Sequence, residues 1–329
     1  MSKGNIIFRA DGGPSIGMGH FVRTLALAEM LKDDFCCTFA TIEPTEYQIG
    51  EIERICDNRI DLPNNDSHFT LFLEHLKGDE IVVLDNYYFT TEYQRSIKAR
   101  GCKLVCIDDI HDKHYVADIV INHAEGINPC KFSKEDYTSL LLGYKYALLR
   151  SEYLENTSSD NIKKYSCLIM LGGSDPLNIT SQIVSTIDNY FFDKPIAVVV
   201  SNQNIATEKF KNQYEFFSNI SGKQVLNLMR SSNFGFFPAS TVSIEACAAR
   251  LPFICGYFVD NQKEIYQGLL NNNLAECIGD FGELRNESFK NAISKITNVN
   301  NHNRIKKLQA RFMDGFSINR IKSEFLNII

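Results

Sequence analysis

Near the start of the chain, residues 9–31 read RADGGPSIGMGHFVRTLALAEML. Gly12, Gly13, Gly17 and Gly19 crowd one turn, and His20 follows where a helix should begin. Glycines let backbone N–H groups approach an anion closely, and a helix start adds partial positive charge. An imidazole titrates near pH ~6.5, so it can take a proton from water at neutral pH. The pairing suits a turn that meets a phosphate or sugar at Gly17 and Gly19, with His20 beside it as a general base. The same histidine could instead serve only as a hydrogen-bonding partner for the loop. Asp11, just before the turn, either orients the ring or caps the loop. The spacing is not that of a dinucleotide site: the third glycine of G-x-G-x-x-G is replaced by Val22, and no G-K-[S/T] is present.

Further along, CLIMLGGSDPLNIT runs from a strand-like stretch through Gly172, Gly173, Ser174, Asp175 and Pro176 into a helix. This is either a plain turn or a second place for an anion or ribose. In FFPASTVSIEACAARLPFICGYFVDNQ, Ser240 and Thr241 offer hydroxyl and N–H groups at another helix start. Glu245 lies one turn on and projects near the same helix end. Its carboxylate could accept from both hydroxyls of a ribose, or simply sit on the helix surface. Asn261 and Gln262 carry amides suited to a sugar with acetamido or hydroxyl groups, or they form an ordinary turn. Asp85, Asn86 and Tyr87 end a strand and are candidates for sugar contacts, while Asp108 and Asp109 end the next. His111 and His114 form H-x-x-H without a third ligand, so no metal site is expected.

These residues need strands and helices to hold them. NIIFRA, CCTFAT, EIVVLDN, KLVCIDD and ADIVINH read as buried strands of the first half, with helices over residues 21–31, 69–76 and 91–100. SCLIMLGG, PIAVVVS, YEFFSNI, FGFFPAS and LPFICGY repeat the pattern, with helices over 179–190, 225–231 and 241–249. Strands apolar on both faces and alternating with helices imply parallel sheets covered on both sides. The expected fold class is α/β, with two Rossmann-like doubly wound domains facing a cleft that holds the ligand at the strands' carboxyl ends. RSEYLENTSSDNIKKY, polar and without apolar period, marks the boundary. The expected domains are 1–152 for the base and sugar, 163–302 for the nucleotide, and a helical 303–329 crossing back to the first.

The 329 residues suffice for two such domains, and 44% hydrophobic with 22% charged residues excludes disorder. A net charge of −6 without a basic block argues against nucleic acid as a partner. No stretch reaches the ~20 apolar residues of a membrane helix, and the first residues lack the regions of a signal peptide. A cytoplasmic monomer acting on a small molecule is expected, with no membrane partner. Ten scattered cysteines without C-x-x-C read as reduced thiols.

Taken in order, RADGGPSIGMGHFVRTLALAEML, LLLGYKYALLRSEY, GGSDPLNIT, STVSIEA and DNQ resemble the UDP-sugar hydrolases of pseudaminic acid biosynthesis. The first loop and the glutamate helix are also similar to GT-B glycosyltransferases, including the one that completes lipid II. The resemblance implies a GT-B fold and metal- and cofactor-free hydrolysis. Its implied substrate is UDP-2,4-diacetamido-2,4,6-trideoxy-β-L-altropyranose, which water would convert to UDP and free sugar with inversion. It also implies that His20 is the base, that Gly173, Ser174, Ser240, Thr241 and Glu245 hold UDP, and that Asn261, Gln262 and Tyr87 face the sugar. Two places depart from the family pattern: FFPAST carries Pro238 where a glycine-rich run is usual, and VLDNY carries Asn86 where a histidine is usual. A UDP-sugar-dependent glycosyltransferase and a non-catalytic nucleotide-sugar binder stay open as alternatives.

Overall fold

The computed structural model describes residues 3–13, 16–154, 162–171, 175, 178–190, 192–200, 211–218, 220–283 and 286–329. The chain divides into two compact units, one of residues 1–151 together with 316–329, the other of residues 152–315.

In the first unit the elements run β1 (Gly4–Ala10), α1 (Gly19–Leu31), β2 (Phe35–Ile42), α2 (Glu46–Ile55), β3 (Asn58–Leu62), α3 (Ser67–Glu74), β4 (Ile81–Asp85) and α4 (Thr91–Lys98). There follow β5 (Lys103–Ile107), β6 (His114–Tyr115), β7 (Ile119–Asn122), β8 (Ser133–Lys134) and β9 (Ser139–Leu142), after which the short α5 (Ser151–Leu154) begins at the division between the units. Seven strands form one sheet in the order β3-β2-β1-β4-β5-β7-β9, and every neighbouring pair is parallel. Central strands such as β4, IVVLD, are buried along their whole length, which is why they read as continuous apolar runs.

The second unit runs β10 (Tyr165–Met170), α6 (Ile179–Ile187), β11 (Ile196–Val199), β12 (Tyr214–Phe217), α7 (Gly222–Ser231), β13 (Ser232–Pro238) and α8 (Thr241–Ala248). It continues through β14 (Phe253–Tyr257), α9 (Lys263–Asn271), β15 (Glu276–Asp280), α10 (Asn286–Thr297) and α11 (Val299–Phe312). Its sheet has the order β12-β11-β10-β13-β14-β15, again all parallel. In both sheets the order reverses beside the first strand, the arrangement of doubly wound folds.

Residues 303–329 are not one helix crossing back. α11 stays in the second unit, where Ile305 is fully buried and Gln309 Nε2 donates to the carbonyls of Leu251 (3.1 Å) and Leu274 (3.0 Å). Only α12 (Ser317–Asn327) returns to the first unit, with Ile321 and Phe325 fully buried and the helix packed against α1. The break falls at Gly315, whose φ of 81° a helix cannot continue.

α1 is buried almost all round, including the polar His20, Arg23, Thr24 and Glu29. A helix of this kind belongs in the interior, and its charges must find partners there. All ten cysteines are free thiols, and six of them are buried. Among the described residues no helix is long and apolar enough to cross a membrane.

Candidate active site

β1 ends at Ala10 in register with Asp85, the last residue of β4. The turn after β1 then feeds α1, which carries His20 back over these strand ends. Gly17 holds a φ of 75° and closes the turn on itself: Gly13 N–H donates to Gly17 O at 3.1 Å and Gly17 N–H to Gly13 O at 2.8 Å. The Gly17 amide expected to face an anion is therefore spent inside the loop. Gly19, the first residue of α1, is exposed, and its N–H is one of the helix's unpaired first donors.

His20 has its side chain only 5% exposed, and its Nδ1 lies 2.7 Å from Asp85 Oδ1. Asp85 is completely buried. Arg23 forks onto it, Nε to Oδ2 at 2.7 Å and Nη2 to Oδ1 at 2.6 Å, and Thr24 Oγ donates to Oδ2 at 2.8 Å. Burial alone would raise the Asp85 pKa, but Arg23 and then His20 hold the carboxyl well below the usual range. An ionised acceptor at Nδ1 requires that nitrogen to carry the proton, which leaves Nε2 with the lone pair. Arg23 Nη2, 3.2 Å from the same Nδ1, donates instead to Asp85 Oδ1 at 2.6 Å and leaves the assignment in place.

Arg23 serves a second carboxylate. Its Nη1 donates to Asp109 Oδ1 at 2.6 Å and Oδ2 at 2.7 Å. Burial works against the guanidinium charge, but Asp109 and Asp85 offset it and hold Arg23 firmly protonated. Tyr87 OH donates to Asp109 Oδ2 at 3.2 Å, and the Tyr87 ring stands edge-on to His20, with centroids 4.6 Å apart at 79°. The contacts close a circuit from His20 through Asp85, Arg23, Asp109 and Tyr87 back to His20.

The carboxylate on His20 is thus Asp85, expected at the sugar, and not Asp11. Asp85 is sealed and its oxygens are occupied, so it holds the imidazole and cannot touch a sugar. Asp11 lies at the next strand end in a separate network: Arg9 donates to it at 2.6 Å and the Ile42 N–H at 2.8 Å, and Tyr88 OH also donates to it. Burial pushes the Asp11 pKa up, yet Arg9 and these donors bring it below its ordinary value. Arg9 itself is fully buried and reaches Tyr88 and His68. Tyr87 is half-buried at the edge of the first network. The H-x-x-H pair separates: His111 Nδ1 bonds Asp108 at 2.9 Å, while His114 bonds Ser133 and Glu135. Among the described residues no group of three or more His, Cys, Asp or Glu side chains could hold a metal ion.

In the second unit Gly173 and Ser174 lie outside the described residues. Asp175 is placed, and its carboxylate accepts from the Ile179 and Thr180 N–H groups at 2.8 Å each, capping α6. Ser240 and Thr241 are half-buried at the start of α8, directly after β13, and the Ser240 side chain makes no capping bond. The first amides of α8 are therefore not capped by that hydroxyl. Glu245 is only 4% exposed, so it is not a helix-surface carboxylate. Asn261 is half-buried in the turn Asp260–Gln262. Gln262 is buried, and its Oε1 accepts from the Phe258 N–H at 3.0 Å, so its carbonyl closes its own loop instead of facing a ligand.

Arg23 and Thr24 were not expected from sequence. Their signal is visible in retrospect: they stand three and four residues after His20, on its face of a helix that is apolar elsewhere except at Glu29.

No family model matches the chain. The chain is 27% identical over 272 residues to the UDP-2,4-diacetamido-2,4,6-trideoxy-β-L-altropyranose hydrolase of Campylobacter jejuni, covering 78% of this chain and 93% of that protein. It is 26% identical over 212 residues to the spore coat polysaccharide biosynthesis protein SpsG of Bacillus subtilis, covering 63% of this chain and 62% of that one. Among solved structures, Acinetobacter baumannii MurG superposes with a TM-score of 0.65 at 10% identity, over 99% of this chain and 100% of that one. Phytolacca americana UGT2, solved with UDP-2-fluoro-glucose and pterostilbene, gives 0.66 at 10% identity over 99% of both chains. The chain has the GT-B fold.

Proposed function

We propose that the protein hydrolyses a UDP-activated sugar to UDP and free sugar with inversion, the sugar being a diacetamido-trideoxyhexose. The observation that carries the reading is the His20–Asp85 pair: an imidazole with Nδ1 committed to an ionised carboxylate and Nε2 left to accept a proton. The likeness to the Campylobacter jejuni hydrolase supports the choice of substrate, UDP-2,4-diacetamido-2,4,6-trideoxy-β-L-altropyranose. In the proposed step Nε2 takes a proton from water as the water oxygen bonds to the anomeric carbon. The bond from that carbon to the UDP oxygen breaks on the opposite face, and UDP leaves with the electron pair. Asp85 steadies the imidazolium, as the carboxylate does in other carboxylate–histidine pairs. Ser240, Thr241 and the start of α8 stabilise the leaving diphosphate. Glu245 binds the ribose, and Tyr87 and Asn261 bind the sugar.

Incubation with candidate UDP-sugars, followed by NMR of UDP and the anomeric proton, tests the reading. Free sugar of inverted configuration supports it, whereas transfer only to an added acceptor alcohol points to a glycosyltransferase. UDP-sugar binding without turnover of any candidate points to a binding protein. Two further outcomes are expected. Activity survives excess EDTA, because the diphosphate charge is met by helix starts; loss restored by Mg²⁺ or Mn²⁺ contradicts this. Glu245→Ala weakens UDP binding more than tenfold, and Glu245→Gln less, since charge-assisted bonds to the ribose are worth roughly 1.5–3 kcal/mol when buried. Calorimetry with UDP and 2′-deoxy-UDP closes a double-mutant cycle on this contact. Additive losses mean that Glu245 does not touch the ribose.

A further inference from the structure

One guanidinium here serves two carboxylates beside one imidazole. Within this group, Asp85 and Asp109 each bring one negative charge and Arg23 one positive charge. The cluster is net negative while His20 is neutral and balanced once His20 holds a second proton. A Lys could supply the charge but not the fork that grips Asp85 at 2.7 and 2.6 Å while also reaching Asp109 at 2.6 Å. Tyr87, the neutral His123, the buried Cys106 of β5 and Lys113, whose Nζ donates to the Tyr87 carbonyl at 3.0 Å, are further titratable groups around it among the described residues. His123 follows β7, is buried, and is pushed down to about 4 by burial and then by Arg23, so it adds no charge at working pH.

We infer that Arg23 and Asp109 are positioning residues that set the proton affinity of His20 in opposite senses, Arg23 weakening the base and Asp109 restoring it. Arg23 drains the charge of Asp85 and also stands 3.2 Å from His20 Nδ1, while Asp109 draws part of the guanidinium away. The inference rests on His20 being the base, but the coupling itself is a property of the free protein and can be read without substrate.

The test uses two readouts on Asp109→Asn, Arg23→Gln and Arg23→Lys. The first is the ring-proton NMR titration of His20 in the full chain, its signal among the seven histidines assigned by its loss in His20→Asn. The second is the acidic limb of kcat against pH. Asp109→Asn, which keeps the shape of the side chain, moves both midpoints down by about one pH unit, and Arg23→Gln moves them up by about as much. Arg23→Lys leaves the midpoints nearly in place while kcat falls about tenfold at unchanged KM, because charge is kept and the fork is lost. Midpoints that do not move in Asp109→Asn, or that move the same way in Asp109→Asn and Arg23→Gln, overturn the inference. Opposed NMR shifts with no matching change in the kcat profile uphold the coupling and overturn the reading of His20 as the base. Should Arg23→Gln fail to fold, Asp109→Asn alone still decides.

Discussion

Replacing His20 with asparagine is expected to lower UDP-sugar hydrolysis by a factor of about 10²–10⁴, the range for a lost acid–base group. Asparagine preserves a polar side chain of similar reach, and its amide can still donate to Asp85 Oδ1, now 2.7 Å from the imidazole Nδ1. What disappears is the lone pair on Nε2. The GT-B fold and the residues assigned to UDP are untouched, so UDP affinity should stay within about twofold. Stopped assays of UDP release, with calorimetric titration of UDP on the same preparation, separate the two quantities. Turnover near the wild-type rate removes His20 from the chemistry. A parallel collapse of UDP binding would mean that the substitution damaged the protein and not the step.

Asp85→Asn should cost as much in rate and far more in stability. An amide at this position offers Nδ1 either a carbonyl or an N–H, so the tautomer is no longer enforced. The corresponding exchange in a serine-protease triad costs about 10⁴ in kcat. Asp85 is also fully buried and bound by His20, Arg23 and Thr24. Removing one partner of such a buried pair costs about 3–5 kcal/mol. The pH dependence has a definite sign. Because the folded carboxyl is held below its unfolded value of about 3.9, the native state binds fewer protons than the unfolded state in acid. Its stabilising contribution is complete above that pH. It shrinks by about 1.4 kcal/mol for each unit below, until the folded carboxyl itself takes up a proton. Urea midpoints at pH 7 and pH 3 should therefore converge between wild type and Asp85→Asn as the pH drops. A gap that stays constant means the ionised carboxylate is not what stabilises the site.

Much of the fold was legible because parallel strands buried on both faces leave a blunt signature. IVVLD and FICGY show it plainly. The elements that escaped notice are those without it. β3, NRIDL, is an edge strand with only Leu62 buried, and β15, ECIGD, is another edge strand with no buried residue. α2 was missed although Thr45 and Gln48 form a reciprocal capping box, T-E-Y-Q, that marks its start. The candidate site was legible in outline: His20 and Asp85, residue types that could do chemistry, stand at a helix start and a strand end. Their pairing was not, because register decides it. Ala10 lies beside Asp85 only once β4 is known to neighbour β1, and nothing local in either segment says so. Asp11, nearer in sequence, was the natural partner for the ring until Arg9, a fully buried cation two residues before it, is seen to hold it.

The return of α12 to the first unit has a consequence for biosynthesis. Ile321 and Phe325 form part of the covering of the first unit, yet the 164 residues from Glu152 to Gly315 must be made before they exist. At roughly 5–20 residues per second, that leaves the nascent first unit without this helix for about 8–33 s. Through that interval the surface against which α12 packs stays open to water, to chaperones and to other chains. The second unit, by contrast, is contiguous and can complete itself as it emerges. The usual order, in which the amino-terminal domain folds first, is thereby inverted for the last stage of assembly. The unit that carries His20 is begun first and sealed last, and a fragment ending at Ser151 remains in its unsealed form.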